Sequence, residues 1–152
     1  MTMPSASLNS VDEESSSSIP VVLYACIHNS GRSVAAKILT EHYAQGRVEV
    51  RSAGSEPGSR VNLEVAAALK ERGLSTDLEV PVLLTSDLVH FADVVVMMGC
   101  GETCPTFPGK RYFAWVVDDP VGQDRETVRR IVSDIDVRVR GLLDELGVTP
   151  IL

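Results

Sequence analysis

Hydrophobic and polar positions along the chain fall into two alternating rhythms. Ile19 to Ala25 is a continuous apolar run, and Ala92 to Met98 is another, broken only by Asp93. Runs of this length read as strands covered on both faces, as in the interior of a parallel sheet. Val48 to Ser52 alternates like a short strand, and Arg111 to Val117 supplies a fourth. Between them the period changes. Ser33 to Ala44 places Ala35, Ala36, Ile38, Leu39 and Tyr43 at helical spacing, with Gly46 as its stop. Asn62 to Arg72 puts Leu63, Ala66, Ala67 and Leu69 on one face and ends before Gly73, and Ser86 to Phe91 reads as a short helical turn. A long amphipathic helix follows from Arg125 to Leu146, with Val128, Ile131, Ile135, Val139, Leu142 and Leu143 inward.

Strands alternating with helices four times predict an α/β domain: a four-stranded parallel, doubly wound sheet flanked by helices, joined by right-handed crossovers. In such a sheet the ligand site lies beyond the carboxyl ends of the strands. Cys26, the segment Gly99 to Cys104, and Asp119 all fall at such ends. Residues 19–152 are expected to form this single domain. Met1 to Ser18 is serine-rich, carries Asp12, Glu13 and Glu14, and has almost no aliphatic content, so it is expected to be a disordered tail.

Composition then narrows the partners. The net charge of −7 argues against nucleic acid, whose phosphates require a basic face. No apolar run reaches the length of a membrane span and no secretory leader pattern is present, so a cytoplasmic protein is expected. Three cysteines, an odd number in a reducing compartment, read as reactive thiols or ligands before structural bridges.

The chemistry concentrates in Cys26-Ile27-His28-Asn29-Ser30-Gly31-Arg32-Ser33, which joins the first strand to the first helix. Loop amides, a helix N-terminus and the Arg32 guanidinium together make a seat for a tetrahedral anion. The same donors favour a thiolate at Cys26, so the residue touching the anion is placed to attack it, at phosphorus or at arsenic. Asp119, stiffened by Pro120, suits a general acid, with Asp118 as competitor. Asn29 is expected to brace the loop by side-chain hydrogen bonds to the loop backbone and Ser33 to donate to the cysteine, a turn residue and a helix cap being the alternatives, and His28 to be structural. Ser52-Ala53-Gly54-Ser55 reads as a turn near the site, and no nucleotide fingerprint or other cofactor motif is present.

Cys100 and Cys104 sit in Cys-Gly-Glu-Thr-Cys, between Gly99 and Pro105. Zinc needs further ligands that no nearby pair supplies, His90 being alone, and burial as small apolar filler is a second alternative. Flanking glycines and prolines favour exchange-competent thiols, one of which could resolve an adduct on Cys26.

Cys26 to Ser33, Arg51-Ser-Ala-Gly-Ser-Glu-Pro57, Met98 to Pro105, Pro108-Gly-Lys-Arg-Tyr112 and Asp118-Asp-Pro120 resemble the arsenate reductases built on the low-molecular-weight tyrosine phosphatase fold, from about Ile19 to Gly147. The two later cysteines and the absence of an aromatic after Pro120 favour the reductases over the phosphatases. The resemblance implies that Cys26 attacks arsenate (phosphate and sulfate being analogues), that Arg32 and the amides of residues 27–33 hold its oxygens, and that Asp119 protonates a departing oxygen. It further implies that Cys100 attacks the Cys26 adduct, releasing arsenite and leaving a Cys26–Cys100 disulfide. Cys104 then takes over Cys100, and thioredoxin reduces the product, in the service of arsenic detoxification. A small thiol such as mycothiol or glutathione, or plain phosphatase chemistry, is the alternative. The Cys100–Cys104 spacing is shorter than in the best-known thioredoxin-coupled members, and Val34-Ala35 stands where Gln-Met is common.

Overall fold

The computed structural model describes residues 19–99 and 105–152. The expected tail, Met1 to Ser18, and the two later thiols, Cys100 and Cys104, lie outside the described residues. Elements follow as β1 (Val21–Cys26), α1 (Arg32–Ala44), β2 (Glu49–Gly54), α2 (Leu63–Glu71), α3 (Ser86–Phe91), β3 (Val94–Met97), β4 (Arg111–Ala114) and α4 (Arg125–Glu145). All strand pairs are parallel and the sheet order is β2-β1-β3-β4.

β1 is central, and its six residues are all buried because alternate side chains enter different cores. Val22, Tyr24 and Cys26 join α1, α2 and α4, represented by Leu39, Leu69, Ile135 and Leu143. Val21, Leu23 and Ala25 pack with Val89 of α3 and Val95 of β3. This two-sided burial is the physical origin of the unbroken apolar run. It also drives the Tyr24 phenol well above its usual pKa, because the hydroxyl is removed from water; the bond to Thr40 Oγ1 at 2.7 Å pulls the other way and offsets this only in part.

Three expectations are corrected. Between β3 and β4 no helix occurs among the described residues, while α2 and α3 both fall between β2 and β3, so the regular fourfold alternation is broken. The strands are displaced: β1 runs through Cys26, β2 reaches Gly54, and β3 and β4 end at Met97 and Ala114, short of Met98 and Val117. Ser52 to Gly54 are therefore strand and not turn. α1 ends at Ala44 as expected, but its cap is Gln45 and not Gly46, in a left-handed conformation with φ 50°.

Register aligns the carboxyl ends. Cys26 lies opposite Gly54, Ala25 opposite Met97, and Met97 opposite Ala114. Side-chain caps fix the helices that flank this edge: Asn62 accepts from the amides of Glu64 and Val65, and Asp124 from Thr127. The N-cap of α1 is Gly31, which supplies no side-chain cap, so the first turn of that helix faces the site with its amides free of one.

Candidate active site

The loop between β1 and α1 wraps around the sulfur of Cys26, which is 2% exposed. The backbone amide of Asn29 donates to Sγ at 3.2 Å, and Ser33 Oγ lies 2.9 Å from it. The direction of the second bond follows from the surroundings. Val82 N donates to Asn29 Oδ1 at 2.8 Å, which fixes the amide orientation, and Asn29 Nδ2 donates to Ser33 Oγ at 2.7 Å. Ser33 therefore uses its acceptor capacity on Asn29 and turns its own hydrogen to the sulfur. Two donors converge on Cys26, as expected for Ser33. Asn29 departs from expectation in its partners: it is fully buried, has φ 51°, and its side chain braces the loop through Val82 N and Ser33 Oγ and not through the loop backbone.

A second lattice of backbone bonds holds the loop from outside. Ser55, Glu56, Gly58 and Asn62 donate their amides to the carbonyls of Cys26, Ile27, His28 and Ser30. The loop lies so close to β2 that a Cβ on Gly54 would sit 2.5 Å from the Ile27 carbonyl oxygen and 2.8 Å from Asn29 N. Only glycine permits that approach.

Cys26, His28, Ser30, Gly31, Arg32, Asn62, Asp119, Pro120 and Val121 line a narrow cleft of about 20 Å³. This is far below the ~300–1,000 Å³ typical of sites for drug-sized ligands, and suits a compact anion at its floor. Arg32 Nη1 donates to the Val117 carbonyl at 3.3 Å, and Nη2 lies 3.9 Å from Asp119 Oδ2. Asp119 Oδ1 accepts from Val121 N at 3.0 Å, which leaves Oδ2 turned toward Arg32. Asp118 does not line the cleft. His28, expected to be structural, stands exposed on the rim. Pro120 closes the far wall, so near Gly31 that a Cβ there would come 2.8 Å from Pro120 Cγ.

The structure thus gathers Cys26, the loop through Ser33, Arg32 and Asp119. It adds Asn62, Val121 and Val82, which the sequence did not single out. Asn62 carried a legible signal, since an Asn directly before an apolar helical stretch is a cap and caps sit at helix entrances. Val82 carried none, being 53 residues from its partner. His90, the lone metal-ligand candidate, packs edge-on against Phe107 at 5.3 Å. No group of three His, Cys, Asp or Glu side chains gathers among the described residues.

A cysteine ending a central parallel strand, an arginine opening the following helix and an aspartate reaching the same cleft define a recognisable arrangement. The model of the low molecular weight phosphotyrosine protein phosphatase family matches residues 21–149. The chain belongs to this family. Within it, arsenate reductase 1 of Bacillus cereus (strain ATCC 10987 / NRS 248) is 30% identical over 123 residues, covering 78% of this chain and 90% of that protein. Among solved family structures, a thioredoxin-dependent arsenate reductase of Corynebacterium glutamicum superposes with a TM-score of 0.77 at 42% identity. The match covers 86% of this chain and 63% of the Corynebacterium chain, so the present chain spans less than two thirds of that protein. An arsenate reductase in a phosphate-binding state gives a TM-score of 0.74 at 26% identity, over 84% of this chain and 98% of that one. The fold expected from the sequence, down to its family, is the fold observed.

Proposed function

We propose that the chain is an arsenate reductase, with residues 19–152 as one catalytic domain. The Cys26 thiolate attacks arsenic, held by Arg32 and the loop amides, and a hydroxide leaves as water after taking the proton of Asp119 Oδ2. The Cys100 thiolate then attacks Cys26 Sγ. A sulfur–sulfur bond forms, the sulfur–arsenic bond breaks, and its electron pair stays on arsenic, which departs as arsenite. Cys104 attacks Cys100 Sγ, releasing Cys26 and leaving a Cys100–Cys104 disulfide for a thioredoxin dithiol to reduce. A cytoplasmic location accords with a cycle restored by such a reductant.

The observation that carries the reading is the seat of Cys26, buried with two donors on its sulfur and opening on a cleft that holds Arg32 and Asp119. Its relatives supply the choice of substrate, since proteins similar over most of this chain are arsenate reductases, one of them thioredoxin-dependent and one solved with phosphate binding. The two further cysteines in sequence supply the means of storing two electrons.

The test is arsenite production by reduced protein with thioredoxin, thioredoxin reductase and NADPH. Turnover that is present in wild type and vanishes in Cys100→Ser and Cys104→Ser supports the relay. Turnover only with mycothiol or glutathione overturns the relay and keeps Cys26. Aryl phosphate hydrolysis without arsenite production overturns the reductase and leaves the family's phosphatase chemistry.

A further inference from the structure

The guanidinium of Arg32 does not hang free over the cleft but is clamped from behind by the ends of two strands. Val117, three residues past β4, offers its carbonyl to Nη1 at 3.3 Å. Gly99, two residues past β3, faces the flat of the guanidinium: a Cβ at that position would lie 3.0 Å from Nη1 and 3.5 Å from both Cζ and Nη2. The three nearest atoms all belong to that one side-chain group. Gly99 has φ +117°, a conformation that side-chain-bearing residues rarely adopt.

Neither strand end is free to retreat. Met98 N donates to the Ala25 carbonyl at 2.7 Å and Trp115 N to the Met97 carbonyl at 2.9 Å, so the backbone entering Gly99 is tied to β1 and β4. A methyl at Gly99 would therefore be relieved by the flexible partner. The guanidinium would move toward the cleft, lose Val117, and change the direction in which its remaining donors point.

We propose that Gly99 is a positioning residue for the anion-binding arginine: its bare Cα lets the guanidinium lie against the end of β3 with Nη1 on the Val117 carbonyl, aiming its other donors into the cleft. This rests on the reading of the Cys26–Arg32 cleft as the oxyanion site. It differs from the requirement at Gly54, where the obstacle to a side chain is the loop backbone itself.

The test is a double-mutant cycle read by calorimetry of inorganic phosphate binding to the reduced full chain, with wild type, Gly99→Ala, Arg32→Lys and the double variant. Lysine lacks the group that a methyl at position 99 would meet. Gly99→Ala is expected to weaken phosphate about tenfold in the wild-type background, the worth of one hydrogen bond to a charged group, and less than about twofold in the Arg32→Lys background. The Michaelis constant for arsenate should rise in parallel while kcat changes less. Where the alanine variant does not fold on its own, the cycle is read for all four proteins in trimethylamine N-oxide, which favours the compact state in each of them alike. An equal loss in both backgrounds, or no loss in wild type, overturns the positioning role alone. Wild-type protein that binds no phosphate overturns the oxyanion site and the positioning role with it.

Discussion

The two walls of the cleft, the proposed nucleophile's and the proposed acid's, are built in opposite ways. On the nucleophile side, Asn29 and Ser33 are inaccessible to solvent, and their side chains and the Cys26 sulfur all have hydrogen-bond partners. On the acid side, Asp119 has a side chain 51% exposed and rests on one backbone amide and a 3.9 Å approach to Arg32. The sulfur must be fixed before the reaction, because attack needs a set line of approach. A proton donor must instead follow a leaving oxygen and exchange its proton with water. On the proposed reading, rigidity falls where geometry would decide the rate, and exposure where protons would turn over.

The strongest break of this contrast is Cys26→Ser, which is expected to reduce arsenite production to background while the melting temperature stays near wild type, since the hydroxyl occupies the same pair of hydrogen bonds. Asp119→Asn should follow, with kcat lowered by about 10²–10⁴-fold. Its phosphate affinity and urea midpoint should stay close to wild type, because an exposed side chain contributes little to either. Asn29→Ala tests the rigid wall from the other direction. It orphans the Val82 amide and places alanine at positive φ, so a loss on the order of 2–3 kcal/mol in urea unfolding is expected, with activity falling as the loop loosens.

The smallest effect lies at the far end of the acid loop. Hydrogen bonds from the side chain and backbone of Thr127 hold the Asp124 carboxyl below its usual range. The folded chain then binds this proton less readily than the unfolded one. The contribution is full above the unfolded value of about 3.9 and disappears as pH falls through the lower folded value. Asp124→Asn, which caps without titrating, should flatten the acid limb of the urea midpoint below about pH 4 and leave it unchanged near neutrality.

How far the sequence revealed this molecule depended on the range of each interaction. β1, α1, α2 and α4 were legible because burial of one or two faces imprints a period on adjacent residues. Cys26, Arg32 and Asp119 were legible because strand ends in a parallel sheet share one edge. The contact of Asn29 with Val82 was not, since nothing local at either residue marks a bond between segments so distant in sequence. The direct passage from β3 to β4 was legible, because the glycines and prolines between the two apolar runs mark a loop and leave no helical period there. Gly99 read as loop punctuation, and its apposition to Arg32 emerges only once both strand ends are in place.

Because Cys26 terminates the strand buried on both faces, its backbone is among the last in the molecule to be released by fraying. Amide protons of Tyr24 and Ala25 are expected to exchange with solvent deuterium only when the whole domain opens. The thiol nevertheless has its own passage to solvent through the cleft. Alkylation of Cys26 and deuterium uptake by its neighbours therefore run on separate clocks, and an oxyanion that fills the cleft will slow the first while acting on the second only through global stability.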